Sequence, residues 1–309
     1  MASQSPRIWF ITGSSLGFGR CMTEQALEAG DNVFATVRRL DSLADLQKKY
    51  GPERLHVQRL DVTIEGDIPI AFEKAKEVFG RIDLVYNNAG YSMIGEVEAI
   101  PQEAAHAIVN VRTVIKIAIL SRLTLRELFQ TNFWGAYNVT RAAIAFFRDV
   151  NKPVGGRLLQ MCSYYGLATD GSLGMYVATK HAIDGLTDCL TKELDPAWNI
   201  KVTLIEPGRF RTDFFVQKKS EIYGHPAYTN PEVPGVAFRL GASRRSSTAI
   251  KGDPVKMTRA VLKITYLENP PKRLILGQDA IADVKKKLEE IEKELLEYES
   301  WSRDLLLDE

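Results

Sequence analysis

The chain has 309 residues, 45% of them hydrophobic, and its 40 Lys and Arg nearly balance 39 Asp and Glu for a formal net charge of +1. That length buries one sizeable core, and the balanced charge argues against a nucleic-acid or polyanion partner. Three scattered cysteines, Cys21, Cys162 and Cys189, have no zinc or disulfide spacing and read as small buried residues in a reducing compartment. No run of about 20 uncharged apolar residues exists, so no transmembrane helix is expected. No charged-then-apolar leader precedes the first apolar run, and the expected location is cytoplasmic.

Apolar, β-rich runs at 7–12, 32–37, 55–60, 82–87, 157–162, 201–206 and 273–276 predict strands. Helical patterns fall between them, notably at 66–79, 124–149, 175–194 and 254–268. Alternation of this kind predicts an α/β fold: a Rossmann-like, doubly wound parallel sheet of about seven strands with helices on both faces. The whole chain, 1–309, reads as a single domain.

The first strand runs into Thr12-Gly13-Ser14-Ser15-Leu16-Gly17-Phe18-Gly19, and a helical pattern through Met22, Ala26, Leu27 and Ala29 follows directly, stopping at Gly30. Strand, glycine turn and helix is the context in which such a motif binds a dinucleotide. Gly13 permits the tight turn, Gly17 lets backbone amides approach a pyrophosphate, and Gly19 permits close helix–strand packing. The anion would sit at the positive end of the helix. Taken alone, the same residues would read as a surface turn.

The second strand ends at Val37, followed by Arg38 and Arg39, where an NAD-binding chain would place a carboxylate for the ribose 2′-hydroxyl. A guanidinium there attracts a 2′-phosphate, which favours NADP(H); the alternative is two solvated surface charges. Asp61, in Leu60-Asp61-Val62, is placed to accept from an adenine amino group. Asn87-Asn88-Ala89-Gly90 closes the fourth strand with small, hydrogen-bonding residues at the sheet edge where ligands of open α/β sheets bind.

Tyr176 and Lys180 lie four apart in a helical pattern and so share a face, with Ser163 thirteen residues upstream. A tyrosine titrating near pH ~10 is a poor proton donor or acceptor at neutrality, and a neighbouring ammonium favours its phenolate. With a short hydroxyl to orient a carbonyl oxygen, the three make an acid/base site. A Tyr-x-x-x-Lys by itself would instead read as an ordinary amphipathic helix; the distant glycine turn supplies what it lacks.

As a set, Thr-Gly-x-x-x-Gly-x-Gly at 12–19, Asn-Asn-Ala-Gly at 87–90, Asn132, Ser163, Tyr-x-x-x-Lys at 176–180 and Pro207-Gly208 resemble the short-chain dehydrogenase/reductase family. The likeness spans most of 7–280. Val37-Arg38 and the segment from Pro207 through Phe210 and Thr212 to Asp213 look most like its NADP(H)-dependent ketone, hydroxysteroid and retinoid reductases. The resemblance implies Tyr176 as proton donor in reduction and base in oxidation, with Lys180 lowering its pKa and binding the nicotinamide ribose. It implies Ser163 as holder of the substrate oxygen and Asn132 as keeper of a relay water. Gly13, Ser14, Ser15, Leu16, Gly17, Gly19, Arg38, Asp61, Val62, Asn88, Ala89 and Gly90 are then cofactor-binding. Tyr176 and Lys180 join them, with Pro207, Gly208, Phe210 and Thr212 near the carboxamide. A small carbonyl or alcohol is the expected substrate, and a homodimer or homotetramer through 124–149 and 175–194 the expected assembly. No metal site is expected: His56, His106, His181 and His225 have no ligand spacing. A rival reading is a nucleotide-sensing or scaffold protein of the same fold, although such proteins tend to lose the Tyr or Lys.

The chain also departs from that pattern. Between Gly90 and Asn132 it is roughly twenty residues longer than expected, an unusual connection for a compact domain. The excess, 103–123, is β-branched and basic, with Arg112 and Lys116. It reads as a lid, an amphipathic patch or, preferentially, translated non-coding sequence. Residues 209–252 are rich in Pro, Gly, Ser and Arg without a clear period and read as a mobile substrate loop. A C-terminal helix near 280–299 places Ile281, Val284, Leu288, Ile291, Leu295 and Tyr298 at steps of three and four. That seam is expected to dock on its own domain, a dimer contact being the alternative.

Overall fold

The computed structural model describes residues 5–100, 125–212, 222–244 and 250–307. The chain starts with β1 (Ile8–Ile11), α1 (Gly17–Glu28), β2 (Asn32–Val37), α2 (Ala44–Lys49), β3 (Leu55–Arg59), α3 (Asp67–Phe79), β4 (Leu84–Asn87) and the two-residue β5 (Ile94–Gly95). Next come the long α4 (residues 125–150), β6 (Gly156–Met161), α5 (Gly174–Glu193) and β7 (Ile200–Pro207). The last third holds β8 (Ile222–Tyr223), α6 (Pro234–Arg244), α7 (Pro254–Ile264), β9 (Arg273–Leu276) and α8 (Gln278–Tyr298). All seven strands expected from the sequence are present within two residues of their expected bounds.

They form one parallel sheet in the order β3-β2-β1-β4-β6-β7-β9. Alternate side chains of each strand enter opposite cores, as the period of two requires. In β1, Trp9 and Ile11 join Met22, Ala26 and Leu27 of α1 and Met257, Val261 and Ile264 of α7. Phe10, between them, stacks on Phe34 at 5.3 Å and Phe72 at 4.3 Å on the other side, where Val139, Ala143 and Phe147 of α4 also pack. A sheet covered on both faces explains why its strands read as near-continuous apolar runs.

Local chemistry sets the element ends. Gly80, at φ 75°, closes α3 in the left-handed conformation that a side chain disfavours. Asp253 caps α7 by accepting from the amides of Val255 (2.8 Å) and Lys256 (3.2 Å), with Pro254 in the first turn. At the amino rim of the sheet, Arg7 pairs with Asp31 (2.7 Å) and donates to Thr265 Oγ1 (2.8 Å), while Trp9 Nε1 also donates to Asp31 (2.8 Å).

Three regions differ from the sequence reading. The stretch 209–252 contains β8, which pairs with β5, and the helix α6, whose Val236 is buried and whose Phe238 packs on the cluster holding Tyr176. Its apolar partners come from distant segments, so no local period announces it. The helix expected to 268 stops at Ile264. In α8 only Ala280 and Val284 are buried; Ile281 is half-buried, and Leu288, Ile291, Leu295 and Tyr298 are exposed. The proposed insertion 103–123 lies outside the described residues. Among the described residues, no helix is long and apolar enough to cross a membrane.

Candidate active site

Every carboxyl end of the parallel sheet opens on one edge, and the strand order changes direction between β1 and β4, where a crevice forms. The glycine turn leaves β1 on one side of it, and Asn88-Ala89-Gly90 leaves β4 on the other. Thr12 ties the two together. Its hydroxyl accepts from the amides of Asn88 (2.8 Å) and Ala89 (3.0 Å), and its carbonyl accepts from the Asn88 side chain (3.0 Å).

Gly13 and Gly17 have φ of 67° and 53°, which only a residue lacking Cβ adopts without strain. A Cβ on Gly19 would collide with the Gly13 carbonyl. Ser14 is buried, its hydroxyl donating to Ile11 O at 3.0 Å; Ser15 is half-buried and Leu16, just before α1, is exposed. No acidic residue occupies the first turn of α1, so no carboxylate of that turn neutralises its amides. Arg38 is exposed at the end of β2. Asp61 accepts from the amide (3.0 Å) and hydroxyl (2.8 Å) of Thr63, and Val62 is buried against Gly135.

The loop after β7 comes from the other side. Gly208 donates to Leu276 O at 2.7 Å, and Arg209 N to Asp279 of α8 at 2.8 Å, with no space for a side chain between Gly208 and Asp279. Phe210 meets Phe18 edge-on at 5.7 Å, and Thr212 lies within van der Waals reach of Gly17. Residues 13–19 and 207–212 therefore line one cleft.

Ser163, Tyr176 and Lys180 converge beyond the carboxyl end of β6. Ser163 follows β6 and accepts from Tyr165 N at 3.3 Å; Tyr176 and Lys180 share the buried face of α5. The phenol of Tyr176 hydrogen-bonds Ser163, and the Lys180 ammonium lies 5.7 Å from its ring centroid. Burial holds the phenol above its ordinary range, with the Ser163 bond opposing, and burial likewise lowers Lys180. Burial is the largest influence on both groups in this geometry, and it acts against the phenolate that Lys180 is expected from the sequence to favour.

Asn132 sits in a π-helical turn of α4, Gln130–Gly135, and is buried rather than solvent-facing. Its side chain accepts from Tyr91 N (3.1 Å) and donates to Tyr91 O (2.8 Å) and Thr179 Oγ1 (3.2 Å), bracing the loop after β4 against α5.

Two polar clusters escaped the sequence reading because their members are far apart in the chain. Asp170 accepts from Tyr165 OH (2.5 Å) and Arg209 (2.9 Å), and Arg209 also donates to Tyr164 OH (3.2 Å), joining the loops after β6 and β7. Behind Lys180, Arg273 pairs with Asp184 and, at 3.1 Å, with Glu206. Cys162, Asp184 and Glu206 offer donor atoms within 4.8 Å of one another, but the guanidinium already supplies their positive charge. Burial pushes Glu206 up to about 7 and Cys162 up to about 12.

A glycine turn at the strand switch together with a Ser-Tyr-Lys cluster points to a class of oxidoreductase. Residues 7–222 match the family described as short chain dehydrogenase, and this chain belongs to that family. An uncharacterised oxidoreductase of Schizosaccharomyces pombe is 33% identical over 285 residues, 92% of this chain and 87% of that protein. A 3-ketodihydrosphingosine reductase of Bacteroides thetaiotaomicron is 28% identical over 88% of each chain. The crystal structure of a short-chain dehydrogenase from Streptomyces avermitilis superposes with a TM-score of 0.79 at 32% identity, covering 98% of this chain and all of the other.

Proposed function

We propose that this chain is an NADP(H)-dependent oxidoreductase of one domain that interconverts an apolar ketone or aldehyde and its alcohol. The observation that carries the reading is that Ser163, Tyr176 and Lys180, far apart in the chain or a helical turn apart, meet in one buried cluster. The cofactor, when bound, supplies or accepts hydride. The backbone at Gly13, Ser14, Ser15, Leu16, Gly17 and Gly19, with the uncompensated start of α1, suits its pyrophosphate. Arg38, with no carboxylate beside it at Val37, suits a 2′-phosphate. Asp61 and Val62 would meet the adenine, Asn88, Ala89 and Gly90 the adjoining ribose, and Pro207, Gly208, Phe210 and Thr212 the nicotinamide end.

Ser163 orients the substrate oxygen, and Tyr176 gives it a proton during reduction and takes the proton back during oxidation. Lys180 favours the phenolate as that proton leaves. Asn132, which ties α5 to the loop after β4, is assigned the relay water. Met93, Ile94, Tyr164, Tyr165 and Leu173 cluster with Tyr176, and Phe238 of α6 packs on them. These surroundings suit an apolar carbonyl, and the relative named 3-ketodihydrosphingosine reductase is consistent with a keto substrate.

The test is NADPH oxidation, followed by absorbance, with a panel of aliphatic and aromatic ketones. Tyr176→Phe is expected to lower kcat by about 10²-fold to 10⁴-fold while NADPH binding persists. A wild-type protein that binds NADPH but turns over no carbonyl would favour the nucleotide-sensing alternative.

A further inference from the structure

Tyr165 touches both Ser163 and Tyr176, yet its polar atoms have no part in the mechanism above. Its amide donates to Ser163 Oγ at 3.3 Å. Its ring meets that of Tyr176 edge to face, with centroids 6.2 Å apart and planes at 84°. The side chain is 6% exposed and also packs on Tyr164, at 4.0 Å between centroids. A buried tyrosine needs a partner for its hydroxyl, and this one donates to Asp170 at 2.5 Å. Burial first, then Tyr164 and Asp170, raise the Tyr165 phenol, so its proton stays on the tyrosine and the bond keeps this direction.

Asp170 is fixed in turn. Arg209 donates through one nitrogen, Nη2, to Asp170 at 2.9 Å and to Tyr164 OH at 3.2 Å. The Arg209 amide is itself held by Asp279 at 2.8 Å, directly after the Pro207 and Gly208 assigned above to the nicotinamide end. The ion pair is 37% and 36% exposed on its two sides, where such a pair is worth less than about 1 kcal/mol of stability. Placement, rather than stability, is what it can supply.

We propose that Tyr165 is a positioning residue for Ser163 and Tyr176, held in its place by Asp170 and Arg209. This role rests on the carbonyl reaction proposed above. The Tyr165 amide occupies a lone pair of Ser163 Oγ, which leaves the Ser163 proton to point at the Tyr176 oxygen or at the substrate oxygen. The Tyr165 ring sets the tilt of the phenol. A shift of Tyr165 thus moves both groups at once, and a misplacement of about 1 Å at reacting groups costs up to about 10²-fold in rate.

The first test is NADPH oxidation with a ketone. Tyr165→Phe keeps the ring and removes the hydroxyl; kcat is expected to fall about tenfold, with NADPH binding and circular dichroism unchanged. Asp170→Ala should do the same, whereas Asp170→Asn, which keeps an acceptor oxygen, should restore most of the rate. In a Ser163→Ala background the Tyr165→Phe loss should shrink to less than about threefold, because the two side chains act as a unit. A purely structural loss would add in full. Full additivity, or an Asp170→Ala chain as fast as wild type, would overturn the proposal. The second test needs no turnover: the ring-carbon NMR signal of Tyr176 in a ¹³C-tyrosine-labelled chain, identified by its absence from Tyr176→Phe. Ser163→Ala and Tyr165→Phe should move it in the same direction, since both loosen the same hydrogen bond. A signal indifferent to Tyr165→Phe would sink the placement. A moved signal in a protein inert to every carbonyl would instead end the proposed reaction and leave the placement standing.

Discussion

At the scale of single residues, the glycine turn and the buried acid behind Lys180 make the sharpest demands. Gly19→Ala drives a methyl group into the Gly13 carbonyl, so it is expected to destabilise the turn and weaken NADPH binding at least tenfold, measurable by fluorescence titration. Arg38→Asp should weaken NADPH binding far more than NADH binding; equal losses would count against a 2′-phosphate contact. Glu206 is pushed from 4.5 up to about 7, first by burial and then by Asp184, with Arg273 opposing. An acid raised in the fold contributes stability that is complete below its unfolded value and lost as pH rises through the folded one. The melting temperature of wild type should therefore fall between pH 4.5 and about 7 relative to Glu206→Gln, and parallel curves would refute it.

At the scale of elements, Tyr223 of β8 and Phe238 of α6 pack on the cluster that holds Tyr176 and cover it. Arg239 pairs with the buried Glu96 at 2.6 Å and donates to Tyr228 O at 2.8 Å, and Ser172 Oγ donates to Gly235 O at 2.8 Å. Arg239→Leu leaves the buried Glu96 carboxylate with the His225 amide but no counter-charge, a loss of about 3 kcal/mol. Residues 222–244 should then become the first site of limited proteolysis; an unaltered cleavage pattern would argue against the latch. This cover was not legible in the sequence because each of its contacts is made to a distant segment. β1, β2 and α1 were legible, since a glycine turn between an apolar run and a helical period is a local signal. The shared face of Tyr176 and Lys180 was legible for the same reason. The Asp170–Arg209 and Asp184–Glu206–Arg273 clusters were not, because only the folded sheet edge brings them together.

At the scale of the whole molecule, the parallel sheet separates two rims. The rim at the strands' carboxyl ends carries the glycine turn, the 88–90 loop and the Ser-Tyr-Lys cluster, and α8 leaves the fold beside it through Asp279. The opposite rim is closed by Arg7, whose guanidinium pairs with Asp31 and stacks 4.0 Å from the ring centroid of Tyr266. The chain therefore enters the sheet on the side away from the chemistry. A tether attached ahead of Ser5 would hold the molecule by its closed base and turn its mouth toward the surrounding liquid, which suits it to capture on a bead or electrode without blocking access.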